Sequence, residues 1–186
     1  MEFDPNFTHI RRHDRAVTDE AWIEAFLKRA PFGVLATALQ DQPFMHGILF
    51  VYDPQEQVIY LHSANQGRTI DNVRQNPKIC FTVAEMGRLL PNQRARGFSV
   101  EYGSVVVYGQ ARLIEDPQEM LHGLRLLMSK YAPHLKPGVD YQELSEAELG
   151  GMVVYRLEIA AWSAKRKLVE EDFPGAYRFE EVVSRS

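Results

Sequence analysis

The chain has 186 residues, 45% of them hydrophobic and 25% charged, with a formal net charge of −4. That size allows one domain with a core of its own, and the acidic balance argues against nucleic acid or an anionic membrane as partner. No apolar run approaches the roughly 18 residues of a membrane span, the N-terminus has no apolar signal core, and the single cysteine, Cys80, can form no internal disulfide. A cytoplasmic protein of one domain over residues 1–186 is expected.

Residues 1–16 mix charge with Pro5 and show no period, which predicts an extended arm. A helix opens at Val17-Thr18-Asp19-Glu20, with Thr18 as its cap and Trp22, Ile23, Phe26 and Leu27 as its apolar stripe; Pro31 and Gly33 end it. Strands follow over residues 32–39, 45–52 and 58–62, separated by turns at Gln40 to Pro43 and at Asp53-Pro54. A helix from Gly67 to Gln75 stops at Asn76-Pro77, a fourth strand covers 78–84, and an irregular loop with Arg88, Arg94 and Arg96 covers 85–97. Residues 98–115 form a long β segment, and Pro117 begins a helix striped with Met120, Leu121, Leu124, Leu127 and Met128. A polar stretch follows, with one short helix at 145–149, then a sixth strand at 152–161 and a charged tail over 166–186. Six strands joined first by tight turns favour antiparallel pairing and a barrel with flanking helices. Strands and helices do not alternate as a doubly wound parallel sheet requires, and no glycine-rich dinucleotide or triphosphate motif occurs.

The chemistry concentrates in Val58 to Cys80. An apolar strand ends in His62-Ser63 and passes through a polar turn to Gly67, after which a helix starts at Arg68-Thr69. Unpaired N–H groups and the positive end of the helix dipole converge there, and Arg68 adds a full charge, so a phosphorylated ligand is expected. Metal binding is not expected: His9 and His13 are four apart without helical pattern or a third ligand, and His46, His122 and His134 are isolated. Cys80 sits in the apolar Ile79-Cys80-Phe81 and reads as a buried, inert thiol, while Tyr131 needs no special role.

Three stretches carry a resemblance: Tyr60-Leu61-His62-Ser63 with Gly67-Arg68; Phe98 to Val105 with Gly109; and Trp162-Ser163-Ala164-Lys165. In order and spacing the chain resembles the flavin mononucleotide (FMN)-binding split barrels related to pyridoxamine 5′-phosphate oxidase, and within them the nitroimidazole-resistance branch. The resemblance spans about Arg11 to Phe173 and implies a six-stranded antiparallel split barrel that dimerises, with FMN in clefts at the subunit boundary. It implies that Gly47, Ile48, Leu49 and Phe50 line the flavin ring with backbone groups and that His62 and Ser63 sit beside ring and ribityl chain. Gly67, Arg68 and Thr69 would then hold the phosphate, Ser104 would meet the flavin, and Trp162 and Lys165 would reach it from the partner subunit. Two departures stand out. Thr69 occupies a position where the oxidases carry lysine, and Ser163 to Lys167 lack the Arg-x-His element that holds a pyridoxal substrate, which argues against pyridoxamine phosphate oxidation.

The reading is therefore an FMN-dependent oxidoreductase for a small organic acceptor, plausibly a nitroimidazole or nitroaromatic, with His62 as the proton-supplying or substrate-orienting group. A flavin-binding or buffering protein without turnover, and a haem-binding split barrel, are the alternatives; a deazaflavin is compatible with the same barrel.

Overall fold

The computed structural model describes residues 5–183; the first four positions of the expected arm and the last three of the expected tail lie outside the described residues. Eight strands form one antiparallel sheet: β1 (Ala16–Val17), β2 (Gly33–Leu39), β3 (Gln42–Ile48), β4 (Phe50–Asp53), β5 (Val58–Ala64), β6 (Lys78–Leu90), β7 (Ser99–Leu113) and β8 (Met152–Lys167). Their order is β3-β2-β6-β7-β8-β5-β4, with β1 against β8. The two strands at opposite ends of this order, β3 and β4, are consecutive in the chain and separated only by Leu49, so the sheet curls back on itself. The expected second strand is thus broken in two at Leu49, and the six expected strands are all present. The fold is a split barrel, with helices α1 (Glu20–Arg29), α2 (Arg68–Gln75), α3 (Pro117–Tyr131) and α4 (Phe179–Val183) around it. Among the described residues no helix is long and apolar enough to cross a membrane.

Burial explains the sequence pattern. Phe50, Tyr52, Ile59 and Leu61 point into the barrel with Leu35, Phe81, Val105 and Val107, while α1 closes one end with Ile23, Phe26 and Leu27. The alternate residues Val51, Val58 and Tyr60 are buried as well, beneath Met120, Leu124 and Leu127 of α3. A strand covered on both faces needs no polar alternation, which is why Val58 to Leu61 reads as a continuous apolar run.

Several boundaries differ from expectation. Asp19, not Thr18, caps α1, its carboxylate accepting from the N–H groups of Ala21 (3.0 Å) and Trp22 (3.3 Å). The β2–β3 turn is confined to Gln40 and Asp41, both at positive φ, and Pro43 lies within β3, where an edge strand tolerates a missing N–H. The arm is not simply extended: it forms short 3-10 turns at Pro5–Thr8 and His13–Arg15 before β1. The predicted loop 85–97 is largely strand, because β6 continues past an irregularity between Met86 and Leu89 and pairs with β7 as far as Leu90–Ser99. Arg88 holds that extension, donating from Nε (2.9 Å) and Nη2 (2.8 Å) to the buried carboxylate of Glu101. At the other end β8 runs past the expected end at 161 to Lys167, so Lys165 lies inside a strand, as do Arg166 and Lys167 at the expected start of the tail.

Tyr131 fastens the break at Leu49. Its hydroxyl accepts from the N–H of Phe50 (3.1 Å) and lies within donating distance of the carbonyls of Phe50 (2.9 Å) and Pro31 (3.0 Å). The residue assigned no role in the sequence therefore joins the chain before β2 to the start of β4. Tyr131→Phe should cost about 1–3 kcal/mol, since it strands a half-buried N–H without a partner. Urea unfolding checks this, and a change within error of zero would mean that water replaces the hydroxyl fully.

Candidate flavin site

The strand-to-helix corner is built as a docked, open cradle. Ile70 and Val73 bury one face of α2 in the core. The amide of Asn72 donates to the Thr37 hydroxyl (2.8 Å), and that of Asn76 donates to the carbonyl of Ala38 (2.9 Å), which ties the helix to β2. Gly67 precedes the helix at φ +135°, a conformation that L side chains rarely adopt, and its carbonyl accepts from Ile70 and Asp71. The first helical N–H groups, those of Arg68 and Thr69, precede this bonding and have no intrahelical acceptor.

Arg68 is exposed and forms no ion pair among the described residues; its guanidinium lies 5.1 Å from the centre of the Phe44 ring. The two side chains wall a groove of about 570 Å3 together with Leu39, Gln42, Asp71 and Asn72. Phe44 stacks on His46 two residues along β3, at 5.6 Å between centroids, and His46 Nδ1 is buried with no hydrogen-bond partner. Thr69 is buried in the same turn. Sequence reasoning missed Phe44 and His46; their period-two spacing beside Gly47 was the available signal.

The other candidates fall into two groups. At the end of β5, Ser63 donates to the carbonyl of Ala64 (2.9 Å) and shares a hydrogen bond with the Tyr155 hydroxyl (3.0 Å). His62 is solvent-reachable, yet partial burial of its ring disfavours the imidazolium and lowers its pKa from the ordinary 6.5. Gly47 and Ile48 end β3, which at the end of the sheet order pairs only with β2, and the exposed Leu49 follows them at the break. A side chain at Gly47 would collide with the ring of Phe32, at 2.3 Å, so that ring packs directly on the glycine backbone. Phe50 differs: its side chain is fully buried and Tyr131 occupies both of its backbone groups, so Gly47 to Leu49 is the part of this stretch with groups to offer.

Ser104 and Lys165 face each other across β7 and β8, but Lys165 lies eleven residues along β8 from Val154, the partner of His62. At about 3.3 Å per residue an extended strand separates such positions by roughly 36 Å, so one protomer does not bring them together with His62. Trp162 pairs with buried Val107 and packs on the core, three residues from Lys165 and hence on the opposite face of β8. The sequence expectation has both reach one flavin from the partner subunit, and they leave β8 on opposite faces.

The family model for pyridoxamine 5′-phosphate oxidase matches residues 19–166. The chain belongs to this family. Among solved structures this oxidase-family chain is similar to the flavocytochrome Anf3 of Azotobacter vinelandii, at 25% identity and a TM-score of 0.76 over 94% of this chain and 85% of that one. It is similar in fold to a protein assigned to 5-nitroimidazole antibiotic resistance from Bacteroides thetaiotaomicron (21% identity, TM-score 0.66, covering 81% and 85%). It is also similar in fold to an FAD and haem binding protein from Mycobacterium smegmatis (16% identity, TM-score 0.73, covering 92% and 80%). The comparison with curated proteins found no match.

Proposed function

We propose that the protein is a homodimeric, FMN-dependent oxidoreductase that reduces a small organic acceptor of the nitroimidazole or nitroaromatic class. One observation carries the reading: a guanidinium with no ion-pair partner among the described residues and the free N–H groups of a helix start share a groove with an aromatic wall. That donor set suits a phosphate monoester attached to a planar ring. Arg68, Gly67 and Thr69 hold the phosphate; the backbone from Gly47 to Leu49 at the end of β3, with His46, faces the ring system; Ser63 and His62 flank it. The partner subunit supplies the groups equivalent to Ser104 and Lys165, since the separation along β8 exceeds the reach of one flavin. Trp162 contributes to the shape of that partner surface from the barrel end. The flavin supplies the electron chemistry when bound.

His62 holds or passes a proton at the acceptor. If the imidazolium is the donor, kcat/KM rises as pH falls through its lowered pKa, below 6.5. The same measurement on His62→Gln should give a flat profile with flavin still bound; a wild-type profile without that inflection removes His62 from the chemistry.

The protein as purified should absorb near about 450 nm, as oxidised flavins do, and mass analysis of the released cofactor separates FMN from FAD. A sharp band near about 400 nm favours haem instead, a reading that the flavocytochrome likeness supports. Anaerobic reoxidation of the reduced holoprotein by a nitroimidazole should outpace that of free FMN. Equal rates would leave a flavin carrier without turnover.

A further inference from the structure

A second cavity, of about 300 Å3, lies between α1, the far ends of β6 and β7, and the chain that follows β8. It is separate from the α2 groove and shares no residue with it. Three guanidiniums line it, those of Arg29, Arg166 and Arg178, against two carboxylates, Glu85 and Glu101. Both carboxylates are already engaged: Glu85 by Arg29, and Glu101 by Arg88 from outside the cavity wall. Arg166 and Arg178 form no ion pair among the described residues; Arg166 lies 5.8 Å from the centre of the Trp22 indole. The balance of the lining is therefore positive in a protein whose net charge is −4.

The position of Arg178 is built. Beyond β8 the chain is strapped back over the barrel: Val169 N–H donates to Glu101 (3.1 Å), Arg88 donates to the carbonyls of Glu170 (3.1 Å) and Glu171 (2.7 Å), and Tyr177 bridges to Leu89. Gly103 keeps the floor clear, since a Cβ there would meet Phe26 at 2.5 Å and Glu85 at 3.2 Å. Arg166 pairs with Gly103 and so occupies the opposite face of β8 from Lys165. Trp22 and Tyr102 add flat apolar walls.

We propose that this cavity binds a small planar organic acid, its oxyanion gripped by Arg166 and Arg178 and its ring against Trp22. Paired guanidiniums suit both carboxylate and phosphate oxygens, and an aromatic wall favours a flat body over a branched one. The test uses the full-length holoprotein and the indole N–H resonance of Trp22, assigned with Trp22→Phe. Benzoate and phenyl phosphate are titrated in parallel, with neutral benzamide as control.

The expected result is a saturable shift with at least one of the two anions and none with benzamide; the anion that saturates identifies the head group. Arg166→Gln and Arg178→Gln should each weaken binding tenfold or more. No saturation by about 10 mM, a concentration that fills nine-tenths of a site with a Kd of 1 mM, overturns the proposal. So does less than tenfold weakening in either arginine variant, or an equal response to benzamide.

Discussion

Arg68→Ala is expected to weaken FMN binding by about 30- to 100-fold, a loss of roughly 2–3 kcal/mol, while the fold is unchanged. Charge-assisted hydrogen bonds to phosphate sit at the strong end of the range, and no carboxylate among the described residues competes for this guanidinium. The side chain is exposed, and its guanidinium lies over the Phe44 ring. Removing it therefore costs little packing. Asp71 lines the same groove and places a carboxylate near the expected phosphate, so loss of Arg68 also leaves that repulsion uncompensated. Quenching of flavin fluorescence gives the affinity and thermal unfolding of the apoprotein checks the fold. Unchanged affinity would remove the phosphate assignment, and with it the basis of the flavoprotein reading.

Arg88→Leu is expected to cost about 3–5 kcal/mol, because it leaves the Glu101 carboxylate buried without its counter-ion. Glu101 has a side-chain exposure of only 7%, against 22% for Arg88, so solvent offers little replacement. Hydrogen bonds from Arg88, with those from the backbone of Val169, hold the Glu101 pKa at about 2, well below the ordinary 4.5. A carboxyl with a depressed folded pKa contributes stability that is complete above its unfolded value and is lost as pH falls through the folded one. The gap between wild type and variant should accordingly be fullest at neutral pH and narrow as acid protonates the unpaired Glu101, closing further as pH drops below about 4.5 toward 2. Chemical denaturation across that range measures it. Hydrogen exchange should show residues 168–178 losing protection in the variant, since their carbonyls and amides are the partners of this pair. Equal stability at pH 7 would mean that the strap is held by the Leu89–Tyr177 bridge alone.

The strands were legible because their apolar runs and turn residues are local signals. What escaped is non-local. The break at Leu49 is invisible within the run from Met45 to Tyr52, because both halves are apolar and only the curl of the sheet separates them. The extension of β6 through Glu85 to Leu90 interrupts its apolar residues with Glu85, Gly87 and Arg88 and so shows no strand period, and the reason it is strand, a buried carboxylate on β7, lies elsewhere in the chain. Thr18 and Asp19 are both good caps, and the choice between them depends on a backbone angle that residue type does not determine. At the site, the glycine, arginine and threonine at the head of α2 could be recognised in one short stretch. The opposite wall could not, since Phe44 and His46 come from a strand about twenty residues earlier. Trp162 and Lys165 looked like one unit in sequence, but strand alternation sends them to opposite sides of the sheet.

The placement of β5 between β4 and β8 bears on how the protein is made. The β4–β5 hairpin emerges early in synthesis, yet the strand that covers its open edge is not translated until residues 152–167. Through most of translation the apolar run from Val58 to Leu61 has neither its sheet neighbour nor α3 above it. An exposed edge of that composition is prone to pair with another nascent chain, so yield on the ribosome should depend on the delay between these two segments more than on the stability of the finished barrel.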